Sequence, residues 1–356
     1  MAYVGPRAPR GRPRSILHVA EAWGGGVQAV ILDYVRALPE AQHLLLMAER
    51  EGLRITADAE AAFAGVWRMP PGHLARVGCV ARLFRQLRPD VVHAHSSLAG
   101  GYVRLAAPIP AHRIVYTPHC YAMERADLPR PAMAAVWAAE RALAWRTGTV
   151  AAVSPREAEL ARLLRRRQRA VHVPNLVPRQ DAPAPAPRRG PGDLPELTVA
   201  AVGRLCAQKD PDFFAEAARA GRQLLPASNW VWLGGGEDAY RERLERAGVR
   251  VTGWLDRREV HRTLSQARVY AHTASWEGAP MTLLEAAALG LPAVARRIPA
   301  LQSLGVPGLV ETPAQLAAAA VELLRGGAEE GRPLVELFSA HNEENQRSLL
   351  RHVYGH

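Results

Sequence analysis

The feature that most constrains the fold is an alternation of short apolar runs with segments of helical periodicity, which occurs twice along the chain. Strands that alternate with helices in this way form parallel sheets covered by helices. Strands are predicted near residues 16–20, 44–47, 91–95, 114–117, 149–153 and 171–173, and again near 197–202, 230–233, 249–252, 269–271 and 293–295. The connecting helices of the first half are predicted near residues 27–38, 74–87, 131–146 and 155–166.

A proline-rich stretch at residues 174–195 separates the two halves of this pattern. It carries four prolines between residues 183 and 191 and is too stiff and polar for a core element. The sequence therefore predicts two Rossmann-like, doubly wound α/β domains, at residues 15–175 and 197–332, with an interdomain linker at 176–196. Residues 1–14 are predicted to be a flexible basic arm.

The composition is typical of a two-domain enzyme, since 356 residues exceed what one core usually serves and 48% are hydrophobic. No apolar run approaches the roughly 20 residues that span a bilayer. The first 14 residues also lack the apolar segment of a secretory signal. The cysteines are too few and too scattered for a disulfide framework or a zinc site: Cys79, Cys120 and Cys206. These features predict a cytoplasmic protein.

The segment 275–294 places two carboxylates, Glu277 and Glu285, on either side of a predicted loop-to-helix junction. Gly278 permits backbone angles closed to other residues, and Pro280 fits the first helical position, so the helix is predicted to begin near Ala279. Its first amides, toward Met281 and Thr282, would favour an anion such as a diphosphate.

Glu285 would lie about one and a half turns into this helix, on or beside its apolar face. A carboxylate buried there needs hydrogen-bond donors, which two ribose hydroxyls would supply. Glu277 at the mouth of the helix would meet sugar hydroxyls in the same way. The competing interpretation is two ordinary surface glutamates beside an amphipathic helix.

Lys209 is the single lysine among the 45 basic Lys and Arg residues. It follows Gly203 and Arg204 in a predicted strand–turn–helix unit, where a glycine lets the backbone approach a ligand. Lysine offers a compact charge and arginine a flat fork, so the two cations would hold different oxygens of one diphosphate. The alternative is that one lysine has survived by chance at a helix N-terminus.

These two segments resemble the donor-site signature of retaining glycosyltransferases of the GT-B fold, family 4. The resemblance implies two Rossmann-like domains that face a central cleft, with an acceptor domain first and a nucleotide-sugar donor domain second. It also implies that Glu277 contacts the transferred sugar, Glu285 holds the ribose, and Arg204 and Lys209 bind the diphosphate. Asp210 stands where many members carry Gly or Asn. A last helix at 333–351 would cross back to the first domain.

Other site residues follow predicted strands, because ligands collect beyond the carboxyl ends of strands in open parallel sheets. Gly25 and Gly26 form a glycine loop that would approach a phosphate or acceptor, with a plain tight turn as the alternative. In the second domain Gly234 and Gly235 follow a predicted strand and would let the backbone approach the nucleotide, with a bare turn as the alternative. The resemblance places Val251 and Gly253 where the family reads the base, mostly through backbone atoms, so the base cannot be identified from side chains.

His119 follows the predicted strand 114–117 and is predicted to line the donor sugar, because the family carries a histidine in this context. A structural histidine is the alternative. His93 is predicted to pack, and the role of His95 is left open. Asn175, in a Val-Pro-Asn turn, is predicted to have a geometric role rather than a catalytic one.

The mechanism implied is transfer of a hexosyl group from a UDP- or GDP-sugar to an acceptor hydroxyl with retention, in surface polysaccharide or glycolipid assembly. No cofactor and no metal are expected beyond the donor, since Arg204 and Lys209 would neutralise the diphosphate. A natural-product glycosyltransferase, a nucleotide-sugar 2-epimerase and a non-catalytic GT-B binding subunit remain alternatives. A hydrolase or phosphorylase-like enzyme would differ in the acceptor it uses.

The net charge of +11 and pI near 10.3 indicate attraction to an anionic partner. The densest basic run, residues 162–169, is interpreted either as a solvated helix face or as a patch in peripheral contact with the anionic inner membrane. Nucleic acid is not expected as a partner, because aromatic residues do not interleave with the basic ones.

Overall fold

The chain folds into two α/β domains, each built on a twisted sheet of parallel strands. The computed structural model describes residues 13–49, 55–178, 194–326 and 332–355. The first sheet has seven strands in the order β3-β2-β1-β4-β5-β6-β7, and the second has six in the order β10-β9-β8-β11-β12-β13. Every strand pair in the described residues is parallel, as the alternating pattern predicted. The predicted fold class is confirmed.

The first domain alternates strands and helices throughout. Its strands are β1 (Ser15–Trp23), β2 (Gln42–Glu49), β3 (Gly65–Arg68), β4 (Val91–His95), β5 (Ile114–Thr117), β6 (Thr149–Ala152) and β7 (Arg169–His172). Its helices are α1 (Gly25–Ala37), α2 (Ala57–Ala61), α3 (His73–Leu87), α4 (Ser97–Leu105), α5 (Arg130–Leu143) and α6 (Pro155–Leu164). Short 3-10 turns lie at Ala111–Arg113, Ala122–Glu124 and Ala144–Arg146.

The second domain repeats the alternation with shorter strands at its edges. Its strands are β8 (Thr198–Val202), β9 (Asn229–Leu233), β10 (Arg250–Val251), β11 (Val269–His272), β12 (Ala293–Arg296) and β13 (Leu309–Val310). Its helices are α7 (Pro211–Leu224), α8 (Asp238–Arg246), α9 (Arg257–Leu264), α10 (Met281–Ala288), α11 (Pro299–Ser303) and α12 (Pro313–Arg325), followed by α13 (Arg332–Leu337) and α14 (Glu343–Tyr354).

Two predicted helices differ from the structure. Helix α10 begins at Met281 rather than near Ala279, because Pro280 is its N-cap with an extended ψ of 117°. The single helix predicted at 333–351 is two helices, α13 and α14, and Asn342 caps the second through its side chain. The predicted linker lies mostly outside the described residues, as does the predicted basic arm except residues 13 and 14.

Helix α14 returns the chain to the first domain. Leu350, Val353 and Tyr354 are buried in one apolar cluster with Ile16 and Tyr34 of that domain. Burying such side chains stabilises the contact by about 1.5–3 kcal/mol each. The first sheet therefore carries the C-terminal end of the chain as part of its own core.

Candidate active site between the two domains

The carboxyl ends of the strands in the two sheets approach each other, and loops from both domains meet there. Gly26, in the first turn of α1 after β1, lies against Met281 at the start of α10, and Cys120, in the loop after β5, lies against Gly278. Asn175 Nδ2 donates to the carbonyl of Ala279 at 3.1 Å, and Arg156 N donates to Ser303 Oγ at 3.1 Å. Asn175 thus ties the end of the first domain to the loop that precedes α10.

At Gly278 the second domain lies in close contact with the first. A Cβ at this residue would lie 2.6 Å from the backbone nitrogen of Cys120 and 2.8 Å from Glu157 Oε1. Its φ is not among the positive values, so Gly278 does not use the backbone angles that only glycine adopts freely. The position requires glycine for space, because any side chain would push the two domains apart.

Lys209 and Glu277 lie in the cleft and form an ion pair. Their side chains are 20% and 11% exposed, so the pair is largely shielded from water. Gly203 lies beneath the lysine stem, since a Cβ there would come within 3.0 Å of Lys209 Cγ. Thr273 Oγ1 donates to the Lys209 carbonyl at 2.8 Å and so joins the loop after β8 to the loop after β11. Arg204 is exposed beside them.

Asp210 has a structural role that explains its residue type. Its φ of 48° lies in the left-handed region, which Gly adopts freely and which Asn and Asp tolerate better than other residues. Its carboxylate caps α7 by accepting from Phe213 N at 3.1 Å. The other oxygen accepts from Arg296 at 2.5 Å and from Ser275 Oγ at 3.0 Å. Arg296 therefore fixes the turn that carries Lys209, a role the sequence did not indicate.

Glu285 is half-buried on α10 and makes no side-chain hydrogen bond to the described residues. Burial raises the pKa of this carboxyl, while the nearby charges of Arg257 and Lys209 lower it. A carboxylate in such surroundings is stabilised by hydroxyl donors from a ligand. Thr282, one turn earlier, is already occupied, because its Oγ1 accepts from Tyr270 OH at 2.7 Å.

The loop after β9 packs against the loop after β8 within the second domain. A Cβ at Gly234 would lie 2.1 Å from the Gly203 carbonyl, and one at Gly235 would lie 2.9 Å from the Trp254 ring. The Gly234 amide donates to Thr252 Oγ1 at 3.2 Å, between Val251 and Gly253. Protein packing alone thus accounts for both glycines, and their presence is not by itself evidence of a ligand.

The structure requires glycine at residue 25 for its backbone conformation but leaves room for a Cβ at residue 26. Gly25 has a φ of 57° with nothing within 4 Å of its Cβ position, so it serves the sharp turn into α1. A Cβ at Gly26 would meet Met281 Cγ at 3.6 Å, which is ordinary contact. The glycine loop therefore lies directly opposite the beginning of α10, where the cleft is narrow.

His119 and Cys120 follow β5 in left-handed conformations, with φ values of 51° and 84°. Glu157 holds this turn, because Oε1 accepts from Cys120 N at 2.6 Å and Oε2 accepts from Val153 N at 3.0 Å. Burial lowers the pKa of His119 to about 3 and raises that of Glu157 to about 7. His119 is therefore neutral at the cleft and is suited to hydrogen bonding.

Glu157 was missed because Ser154, Pro155 and Glu157 read as an ordinary helix start. Only the fold shows that its carboxylate also reaches the loop after β5. No sequence signal would have identified it as a support of His119.

His18, His93 and His95 bring ring nitrogens within 4.8 Å of one another, a spacing that would suit a metal ion. Each ring nitrogen already has a partner among the described residues. His93 contacts Tyr354 OH at 2.7 Å and Thr117 Oγ1 at 2.8 Å, while His18 and His95 are bonded on both sides to other histidines. All six ring nitrogens of these three histidines are therefore engaged in hydrogen bonds within the described residues.

Family models match both domains. The model described as glycosyl transferase 4-like domain matches residues 25–176, and the one described as glycosyl transferases group 1 matches residues 196–326. The chain belongs to the group 1 glycosyltransferases. No helix in the described residues is long and apolar enough to cross a membrane.

Two curated proteins are similar in sequence. One is a UDP-Gal:alpha-D-GlcNAc-diphosphoundecaprenol alpha-1,3-galactosyltransferase from Escherichia coli, 28% identical over 61% of this chain and 60% of that protein. The alignment thus leaves two-fifths of that enzyme uncovered. The other is an uncharacterized 41.2 kDa protein in the cps region of Klebsiella pneumoniae. It is 21% identical over 83% of this chain and 84% of that protein.

Solved structures share the fold over nearly the whole chain. Sucrose-phosphate synthase from Thermosynechococcus elongatus superposes with a TM-score of 0.75 at 18% identity, covering 96% of this chain and 98% of that one. HepE from Anabaena, in complex with UDP and glucose, superposes with a TM-score of 0.75 at 15% identity, covering 96% and 99%. At these identities the likeness establishes the GT-B architecture alone.

Proposed function

We propose that this protein transfers a hexosyl group from a UDP-sugar to an acceptor hydroxyl with retention at the anomeric carbon. The observation that carries the proposal is the meeting of Lys209, Glu277 and the unpartnered carboxylate of Glu285 in one cleft. A nucleoside diphosphate sugar offers a partner to each of these groups. Its diphosphate would bind Lys209, its sugar hydroxyls Glu277 and its ribose hydroxyls Glu285. The similar galactosyltransferase and the UDP complex of HepE support UDP as the nucleotide.

Arg204 and Lys209 would bind the diphosphate, together with the free amides at the beginning of α10. As the bond from the anomeric carbon to the β-phosphate oxygen breaks, these cations stabilise the charge that the phosphate gains. The departing phosphate takes the proton of the acceptor hydroxyl on the same face of the sugar, while that hydroxyl oxygen bonds to the anomeric carbon. Retention follows because attack and departure share one face.

Glu277 and Glu285 would bind hydroxyls on either side of the diphosphate. Lys209 releases Glu277 when it turns to the phosphate, and the carboxylate then accepts from hydroxyls of the transferred sugar. Glu285 accepts from the ribose hydroxyls, which supplies the donors that its half-buried carboxylate lacks. His119 lies across the cleft, on the side of the transferred sugar.

In this proposal the second domain binds the donor and the first domain binds the acceptor. The Escherichia coli relative is named for a sugar carried on a lipid diphosphate, which suggests a lipid-linked acceptor at the inner face of the membrane. Leu163 and Trp145 are 57% and 68% exposed beside the arginines of the 162–169 run, an arrangement suited to peripheral contact with anionic lipid. Flotation with anionic and with neutral vesicles tests this contact, and equal recovery from both would remove it.

Nucleotide binding measured by calorimetry in excess EDTA is the direct test. UDP should bind in preference to GDP, ADP and dTDP, and Glu285→Ala should weaken binding at least tenfold, or about 1.4 kcal/mol. Glu216→Ala is the matched control, because Glu216 is an exposed glutamate on α7, away from the cleft. Equal affinity for all four nucleotides, or an unaffected Glu285→Ala variant, would remove the proposed donor site.

Turnover then separates the proposed transferase from related activities. Donor, acceptor and products are followed by NMR, and the anomeric coupling of the product reports retention or inversion. Isomerised donor formed without acceptor would indicate an epimerase, and free sugar would indicate a hydrolase. Activity that EDTA abolishes and a divalent ion restores would show that Arg204 and Lys209 do not suffice to neutralise the diphosphate.

A further inference from the structure

Four histidines form a continuous hydrogen-bonded row that ends at the cleft. We call His43, His18, His95 and His119 the histidine row. His43 Nδ1 lies 3.0 Å from His18 Nε2, His18 Nδ1 lies 3.1 Å from His95 Nε2, and His95 Nδ1 lies 3.1 Å from His119 Nε2. At the far end, His43 Nε2 lies 2.9 Å from the carbonyl oxygen of Leu38.

The sheet order explains how residues so far apart in sequence come together. His43, His18 and His95 lie on β2, β1 and β4, and His119 follows β5, so the row crosses four adjacent strands. His18 and His95 are fully buried, and His43 is 4% exposed. Each imidazole bridges to the next across the sheet through its two nitrogens.

The Leu38 carbonyl determines which nitrogens carry the protons. A carbonyl oxygen only accepts, so His43 must donate from Nε2, and a neutral imidazole then accepts at Nδ1. His18 must therefore donate from Nε2 and accept at Nδ1, and the same reasoning passes to His95 and on to His119. Every member of a neutral row is protonated at Nε2, and the reverse arrangement would set the bare Nε2 of His43 against the Leu38 carbonyl oxygen with no proton between them.

Burial makes neutrality the stable state of the row. Desolvation is the main cause that lowers the pKa of His18 and His95 well below the ordinary value, and their neighbouring histidines lower it further. The pKa of His119 is lowered to about 3 for the same reason. Near neutral pH the row therefore binds no additional proton, and the direction of its hydrogen bonds is not reversed.

We propose that His43, His18 and His95 are positioning residues that hold His119 in its Nε2-protonated tautomer, so that His119 Nδ1 accepts a hydrogen bond from a substrate hydroxyl. The substrate part of this inference rests on the proposed function, whereas the tautomer does not. The row ends at a carbonyl, which takes up no proton, so its role is to orient His119 rather than to conduct protons to solvent.

The tautomer is tested on the full-length protein without any substrate. Long-range ¹H–¹⁵N correlation spectra of ¹⁵N-histidine protein distinguish a protonated ring nitrogen from a bare one, and His119→Gln assigns the signal. We expect His119 to show a protonated Nε2 and a bare Nδ1 between pH 7 and 8. A protonated Nδ1 in the wild-type protein would overturn the proposal at once.

The dependence on the row is tested by a breaking variant and a rescuing one. His43→Leu removes both the acceptor for His18 and the link to Leu38, so the His119 signals should become a mixture of tautomers. His43→Asn restores an acceptor oxygen near the place of Nδ1 and should return the single tautomer. His93→Phe is the control, because His93 is equally buried beside His95 but bonds to Tyr354 and Thr117. An unchanged His119 spectrum in folded His43→Leu would refute the role of the row.

The hydroxyl contact is tested once a donor is known, using deoxy and deoxyfluoro donor sugars. A hydroxyl that donates to His119 Nδ1 cannot be replaced by fluorine, so both analogues should lower kcat/KM on the order of tenfold. The loss should disappear in His119→Ala. If fluorine preserved activity where hydrogen did not, His119 would be the donor and the proposal would be wrong. Absence of any turnover would instead refute the proposed function and leave the tautomer result standing.

Discussion

The buried histidines predict that the first domain loses stability steeply below pH 6.5. Burial lowers the pKa of His18, His93, His95 and His119 below the ordinary value of 6.5, so these rings stay neutral in the fold. The unfolded chain binds their protons below pH 6.5. A group whose pKa is depressed by folding keeps its contribution to stability above the unfolded value and loses it as the pH falls.

Glu157 acts in the opposite direction and must be subtracted. Burial raises its pKa from 4.5 to about 7, so between these values the folded protein holds a proton that the unfolded chain does not. Four histidines less one carboxyl leave a net uptake of about three protons on unfolding. Each proton is worth about 1.4 kcal/mol per pH unit, so the free energy of unfolding should fall by about 4 kcal/mol between pH 6 and 5.

Such a loss is comparable with the whole stability of an ordinary domain, about 5–15 kcal/mol. Urea unfolding followed by circular dichroism from pH 8 to 5 measures it. His93→Phe should reduce the slope by about one proton, or 1.4 kcal/mol per pH unit. His112→Gln is the control, because His112 is exposed and should leave the slope intact. An unfolding free energy that is equal at pH 7.5 and 5.5 would refute the reasoning.

Three further predictions concern single contacts. Tyr354→Phe removes the donor to His93 Nδ1 and should lower the unfolding free energy by about 1–3 kcal/mol; an unchanged urea midpoint would contradict this. Gly278→Ala forces a Cβ against Cys120 N and should abolish transfer while UDP binding by calorimetry persists, because the donor domain is intact. Glu277→Gln frees Lys209 from its ion pair and should tighten UDP binding by roughly tenfold while transfer is lost; weaker UDP binding would contradict it.

Some elements could be predicted from sequence to the residue, because their signal is local. Strands β4 and β5 are short branched or aromatic runs bounded by polar or proline residues, and both have the bounds that the sequence predicted. Strand β3 was not predicted, since it is a four-residue edge strand that is mostly half-buried. Helix α4 was not predicted because Gly100 and Gly101 lie inside it. Gly100 is required there, as a Cβ would come 2.5 Å from the Tyr116 ring.

The residues of the candidate site likewise divide into those that a short sequence segment indicates and those that only the fold brings together. Lys209, Glu277 and Glu285 were identified because they occupy fixed positions in short segments that follow strands. Glu157 and the histidine row depend on which strands are neighbours and on their register, and no single segment contains that information. Sequence reasoning thus predicted the groups that are proposed to touch a ligand and did not indicate those that orient them.

The ion pair joins Lys209, which is proposed to bind the diphosphate, to Glu277, which is proposed to bind the transferred sugar. Both side chains are largely shielded from water, and leaving either charge unpaired there would be costly. A diphosphate that takes Lys209 leaves Glu277 without a partner unless a sugar hydroxyl arrives with it. Under the proposed function, the nucleotide alone would therefore bear a penalty that the intact nucleotide sugar avoids. The pair would thereby favour the complete donor over the diphosphate product, which would help the product to leave.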